Sequence, residues 1–180
     1  MAEPTFTFEV LKGLPGEGTP PLQFSATGQG MHREGYVVRF GPINGEHWIG
    51  NFQPGATRLF RLIAHPNKAH AIVIAGGEAY EIDPTTRSLV SVLGSNYEDI
   101  ILVPSLNSIV LSDGLRLENY SSTGPIWKTR RLSWDGLRNI KIHGTAIVGE
   151  AWNFDNTWHT FSVELATGDV TGGAYYDHDS

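Results

Sequence analysis

Residues 129–138 read Thr129-Arg130-Arg131-Leu132-Ser133-Trp134-Asp135-Gly136-Leu137-Arg138, and the way this run folds decides the architecture around it. The Asp135-Gly136 pair lies between two runs of strand-like composition, a short-range signal for a β-hairpin. Side-chain parity selects the loop. A two-residue loop mixes polar and apolar residues on both sides of the ribbon. A three-residue loop, Trp134-Asp135-Gly136, gathers Leu132, Ile140 and Ile142 on one face and Arg131, Ser133, Asn139 and Lys141 on the other. A slip of one residue reverses every face, so burial favours the three-residue loop. Gly136 then takes the left-handed position of a type I turn with a bulge, a conformation that glycine adopts without strain.

The same test applies at two further Asn/Asp-Gly pairs. Around Ile43-Asn44-Gly45, a three-residue loop pairs Phe40 with Trp48, Val38 with Gly50 and Tyr36 with Phe52, placing the large apolar groups together. Around Ser112-Asp113-Gly114, it places Ile109, Leu111, Leu115 and Leu117 on one face.

Short extended segments recur outward from these hairpins. Phe6, Phe8 and Val10 alternate in residues 5–11, the period of a half-buried strand. Residues 12–30 are rich in Gly and Pro and read as a loop or arm. The run His70-Ala71-Ile72-Val73-Ile74-Ala75 is nearly all apolar and predicts a strand buried on both faces. Further strands are expected over 58–64, 78–82, 89–93, 99–103, 108–111, 115–119, 126–132, 137–142, 146–152, 158–165 and 170–175, and no amphipathic helix exceeds two turns. A faint repeat relates the segment from Tyr80 to Thr86 to that from Phe161 to Thr167, with Leu115-Arg116-Leu117-Glu118 between them. Its mean interval of about 40 residues matches one four-stranded propeller blade. The expected fold is all-β, with antiparallel hairpins in propeller-like repeats forming a small propeller of four blades. A two-sheet β-sandwich and an open meander are the alternatives. The strand near Thr5 is expected to pair with the last blade and close a free edge. Residues 1–180 are read as a single domain.

Composition narrows the function classes. The chain is 40% hydrophobic and only 18% charged, which suits a packed globular core. A net charge of −6 argues against a surface that tracks nucleic-acid phosphates. With no cysteine there is no disulfide framework and no Cys-ligated zinc. Neither a leader-like N-terminus nor a run of about 20 apolar residues occurs, so a cytoplasmic protein without membrane association is expected. The sequon Asn119-Tyr120-Ser121 is read as a chance match.

The runs His47-Trp48-Ile49-Gly50-Asn51-Phe52, Val73-Ile74-Ala75-Gly76-Gly77, Arg131-Leu132-Ser133-Trp134-Asp135-Gly136-Leu137 and Asp169-Val170-Thr171-Gly172-Gly173 resemble a group of small bacterial all-β proteins to which no activity is attached. The chain is also broadly similar to quinoprotein-like propeller repeats, in which a strand ends in Asp followed by Thr-Gly. Glu164 to Gly168 fits that pattern, while Asp83 to Arg87 lacks the glycine. The resemblance implies a propeller-like fold and no activity or cofactor.

Candidate chemistry is sparse. His65 and His70 lack a third ligand in the sequence around them, and Asp177-His178-Asp179 sits at the chain end, so no metal site is expected. Ser133, Asp135 and His143 are close in sequence, but a triad is defined by geometry. Glu150 and Asp155 flank Trp152 and, with His159, are the residues around which a carbohydrate-active or small-molecule enzyme would be built. No nucleophile elbow, metalloprotease helix or phosphate loop occurs.

The five tryptophans carry more weight, since Trp is enriched at interface hot spots. Trp134 is expected to be exposed in its loop, with Trp158-His159 the second candidate. Lys128, Arg130, Arg131, Arg138 and Lys141 hold five of the thirteen Lys and Arg. They are read either as edge protection or as a positive ridge that steers an acidic partner. The expected function is therefore non-catalytic: a β scaffold that presents Trp134, Asp135, Arg131, Arg130, Arg138, Trp158 and His159 to a protein partner, with an inhibitor of the immunity or antitoxin type as its narrower form. The competing readings are the enzyme built on Glu150 and a structural domain of a larger assembly. No cofactor is expected, and the oligomeric state is left open.

Overall fold

A computed structural model describes residues 5–28, 33–42 and 46–175. The chain is all-β, with four four-stranded sheets, and it divides into two compact units, Met1–Tyr97 and Glu98–Ser180. Among the described residues the helical content is one 3-10 turn, Pro104–Leu106, and no helix is long and apolar enough to cross a membrane.

The first unit opens with β1 (Phe6–Val10), β2 (Leu22–Phe24), β3 (Tyr36–Pro42) and β4 (Trp48–Phe52), ordered β1-β3-β4-β2. Alternation of aromatic residues dictates the β3–β4 register. Tyr36 faces Phe52, Val38 faces Gly50 and Phe40 faces Trp48, as parity predicts, although Ile43-Asn44-Gly45 lies outside the described residues. Two expectations are corrected. The strand near Thr5 pairs with β3 in its own sheet, with Phe8 opposite Phe40, and not with the last blade. The Gly/Pro-rich arm over 12–30 contains β2, which runs parallel to β4 because Phe24 stacks on Phe52 with ring centroids 4.9 Å apart. That aromatic burial draws an otherwise loop-like segment into the sheet.

The second sheet of this unit holds β5 (Arg61–Ala64), β6 (Ala71–Ala75), β7 (Glu78–Asp83) and β8 (Ser88–Gly94), in sequential antiparallel order. Every residue of β6 is buried, as its unbroken apolar run requires. The core joins Phe40, Trp48 and Phe52 to Val73, Tyr80 and Ile82.

The second unit carries β9 (Asp99–Val103), β10 (Ser108–Ser112), β11 (Leu117–Ser121) and β12 (Gly124–Lys128) in one sheet. Its other sheet is β13 (Leu137–His143), β14 (Ala146–Trp152), β15 (Trp158–Glu164) and β16 (Val170–Gly172). Its core includes Val110, Leu117, Leu132, Ile147, Phe161 and Val163. Here parity misleads twice. Ser112 pairs with Leu117 and Leu111 with Glu118, so the loop is residues 113–116, fastened by Asp113 Oδ1 accepting from the Leu115 and Arg116 amides. All of β10 is buried, and with no polar face the two registers bury equally well. Residues 129–138 form no hairpin. β12 ends at Lys128 and belongs with β11, whereas β13 pairs with β14 in the next sheet, so 129–136 connects two sheets.

The repeat is structural. Asp83 closes β7, Glu118 lies in β11 and Glu164 closes β15, each on the third strand of its sheet. The turns after β7 and β15 correspond residue by residue, and Arg87 occupies the left-handed position (φ 57°) that Gly168 holds (φ 78°). A side chain there costs about 1–2 kcal/mol, partly offset by the freedom glycine gains when unfolded. Arg87→Gly is therefore expected to stabilise the chain by about 0.5 kcal/mol, read as a higher urea midpoint. The exposed Arg87–Glu46 pair, at 3.8 Å, is worth too little to reverse the sign. A lower midpoint would refute the assignment.

Candidate functional site

The connector 129–136 owes its path to distant partners. The Leu132 amide donates to the Leu115 carbonyl, and the Leu132 carbonyl accepts from the Ala174 and Tyr175 amides, while the side chain is buried in the core. Trp134 N–H donates to Trp152 O, and Trp152 N–H donates to Gly136 O. Ser133 is 0% exposed. Its hydroxyl lies 2.6 Å from Gly136 O and 3.0 Å from Trp152 O, and it accepts from the Asp135 amide. Ser133 is thus a buried clasp with no access to a substrate, and it forms no triad with Asp135 and His143.

The arginines of the connector bond to carbonyls. Arg130 donates to Tyr175 O at 2.6 Å and Gly172 O at 2.7 Å. Arg131 donates to Ser133 O and Trp134 O. These bonds fix the stretch 172–175 against the connector. They also build a stack. The Arg131 guanidinium sits 4.7 Å from the Tyr175 ring centroid, Tyr175 lies 4.7 Å from Trp134, and Trp134 meets Phe154 edge to face at 5.5 Å. Trp134 is 40% exposed and Phe154 75%. Asp135 is exposed beside them. Sequence reasoning missed Phe154 and Tyr175, which lie far from Trp134 along the chain.

Trp158 and His159 do not join that stack. Trp158 lies opposite Trp152, with ring centroids 5.0 Å apart, and the Arg138 guanidinium covers it at 3.9 Å. Arg138 also pairs with Glu150 at 3.0 Å. His159, the next residue on the strand, faces the opposite side, and its Nε2 lies 2.8 Å from Thr157 Oγ1. Thr157 in turn donates to Asp155. The seven predicted residues therefore occupy three places in the second unit. Lys128, the remaining paired cation of the run, bonds Glu118.

No curated protein and no family model matches the chain. A solved structure described as a crystal structure of the eukaryotic initiation factor is similar over 78% of this chain, at 8% identity and a TM-score of 0.42. The match covers 40% of that chain, so this protein spans less than half of its length. A likeness of this size carries no argument about what the chain does.

The geometry itself limits the chemistry. Hydrogen bonds from Arg138 and Asn139 hold the Glu150 carboxyl below its ordinary range. The Thr157 hydroxyl does the same for Asp155. Each carboxyl is thus occupied by its own neighbours, Glu150 by Arg138 and Asn139 and Asp155 by Thr157.

In the first unit, His65 and His70 come together around Glu81. His70 Nδ1 lies 2.6 Å from Glu81 Oε1 and His65 Nε2 lies 3.8 Å from the same oxygen. Ser91 donates to Glu81 Oε2, and the Asn67 amide donates to His65 Nδ1. Among the described residues no group of three or more His, Asp or Glu has a metal-holding arrangement, and the C-terminal Asp177-His178-Asp179 lies outside those residues.

Proposed function

We propose that the chain is a non-catalytic binding protein that offers the Trp134–Phe154–Tyr175 stack to a protein partner. The observation that carries this reading is Phe154, 75% exposed at the end of a stack whose members are already held in place. Trp, Tyr and Arg dominate interface hot spots, and rigid aromatics lose little freedom on binding. The basic run contributes by fastening this stack, since Arg130 and Arg131 bond to carbonyls of the chain itself. An inhibitor that covers a partner enzyme's active site is the narrower form of the same reading.

Phe154→Ser tests it. An exposed substitution shifts stability by no more than about 0.5 kcal/mol, so the melting temperature is expected to hold. Loss of a hot-spot ring is expected to weaken partner binding by about 2 kcal/mol, roughly thirtyfold. A photo-crosslinking residue at 154 should capture one discrete protein in the source cells, and one at exposed Leu102 should not. The same products from both positions would remove the proposal.

A further inference from the structure

The face of the last sheet that carries Trp158 has an order that the aromatic stack does not use. Strand register aligns its outward residues in cross-strand rows. One row is Trp152 with Trp158, the next is Arg138, Glu150 and Thr160, and the third is Lys141, Val148, Ser162 and Thr171. Between the second and third rows the face sinks into a groove of about 820 Å³, lined by Asn139, Lys141, Val148, Glu150, Thr160 and Ser162 among others. That volume falls within the range of roughly 300–1,000 Å³ typical of small-ligand clefts.

Two features separate this groove from an ordinary solvated face. The first is a β-bulge between Arg138 and Lys141, where Asn139 takes a left-handed conformation at φ 54°. Bulges re-aim side chains, and this one turns the Asn139 amide onto Glu150. Glu150, gripped from the other side by Arg138, is thereby fixed as an acceptor, with its charge balanced by the arginine. The second feature is a set of unused polar groups. Among the described residues, the Lys141 ammonium and the Thr160, Ser162 and Thr171 hydroxyls make no side-chain hydrogen bond or ion pair. The groove thus offers one uncompensated positive charge, three free hydroxyls, a fixed carboxylate acceptor and the apolar side chain of Val148.

We infer that this groove binds a sugar acid, a ring carrying several hydroxyls and one negative charge. Lys141 pairs with the anionic group, the hydroxyls and Glu150 take the ring's own hydroxyls, and Val148 meets its C–H face. The site is one of binding, with no reaction assigned to it, and it stands apart from the protein-binding stack.

Backbone-amide NMR titration of the whole chain tests this with methyl glucuronide, methyl galacturonide and N-acetylneuraminate, against methyl glucoside and acetate. At least one sugar acid should give saturable shifts confined to residues 139–150, 160–162 and 171. Lys141→Met, a change at an exposed side chain, should weaken that binding by about tenfold or more. Thr160→Val should weaken it less, and Phe154→Ser should leave it unchanged. Shifts with none of the three acids overturn the inference. Equal shifts with acetate show an adventitious anion only, and equal shifts with methyl glucoside show that the charge is not recognised. Both outcomes count against it.

Discussion

Trp48→Ala is expected to destabilise the chain by about 3–5 kcal/mol, the cost of deleting a large buried aromatic residue. The indole of Trp48 is almost wholly buried and stacks on Phe40 at 4.5 Å. Its Nε1 donates to the Pro84 carbonyl at 2.9 Å within the buried interior, so truncation opens a cavity and also orphans an acceptor. Trp48→Phe separates the two terms. It keeps most of the ring area and removes the donor, and should cost about 1–3 kcal/mol. The second unit repeats the device. Trp127 Nε1 donates to Leu165 O at 2.9 Å, and Leu165 follows Glu164 as Pro84 follows Asp83. The repeat is thus conserved within the chain as a hydrogen bond from one sheet to the turn leaving the third strand of the next. Gly168 sits against the Trp127 ring, where an added Cβ would lie 2.7 Å from the indole. Urea unfolding followed by circular dichroism measures these costs. A loss of less than about 1 kcal/mol for Trp48→Ala, well under the usual range for such a deletion, would show that the indole does not join the two sheets of its unit.

What the sequence made legible follows from where side-chain contrast exists. The β3–β4 register was readable because it gathers Tyr36, Phe40, Trp48 and Phe52 on one side. β6 was readable because five consecutive buried residues leave no polar face to misplace. The same reasoning failed at 109–117, where β10 is buried on both faces and parity has nothing to choose between. It failed at 129–138 for another reason. Ser133 clasps Asp135 and Gly136 locally, but the backbone hydrogen bonds that position the connector come from residues 115, 152, 174 and 175, and no local pattern reports those. The basic run has the same character. Charges are visible in a sequence, whereas the carbonyls of Gly172 and Tyr175 that bind Arg130 are not. Trp134 was placed at the surface by a hairpin argument that the connector replaces. Its neighbours Phe154 and Tyr175, and with them the candidate surface, required the fold.

Acid is expected to destabilise the protein in two stages through the His65–Glu81 cluster. His65 is 3% exposed, and burial pushes its imidazole below the ordinary value of 6.5, an effect that nearby Lys68 and His70 reinforce and Glu81 only partly opposes. Its Nδ1 accepts the Asn67 amide, a bond that a doubly protonated ring cannot make. Below pH 6.5 the unfolded chain binds a proton at His65 that the folded chain refuses. Stability therefore falls with pH, by up to about 1.4 kcal/mol per pH unit for one proton. Glu81 supplies the second stage. Burial alone would raise its carboxyl, but the hydrogen bonds from His70 and Ser91 outweigh it and bring it below its ordinary 4.5. Its contribution is complete above pH 4.5 and is lost as pH falls through the lowered value. His65→Gln keeps a neutral hydrogen-bonding side chain and should flatten the decline that begins below pH 6.5 while leaving the one that begins below pH 4.5. Urea midpoints taken stepwise from pH 8 to pH 3.5 for both proteins provide the measurement, and parallel curves across the upper window would show that His65 is not the group refusing the proton.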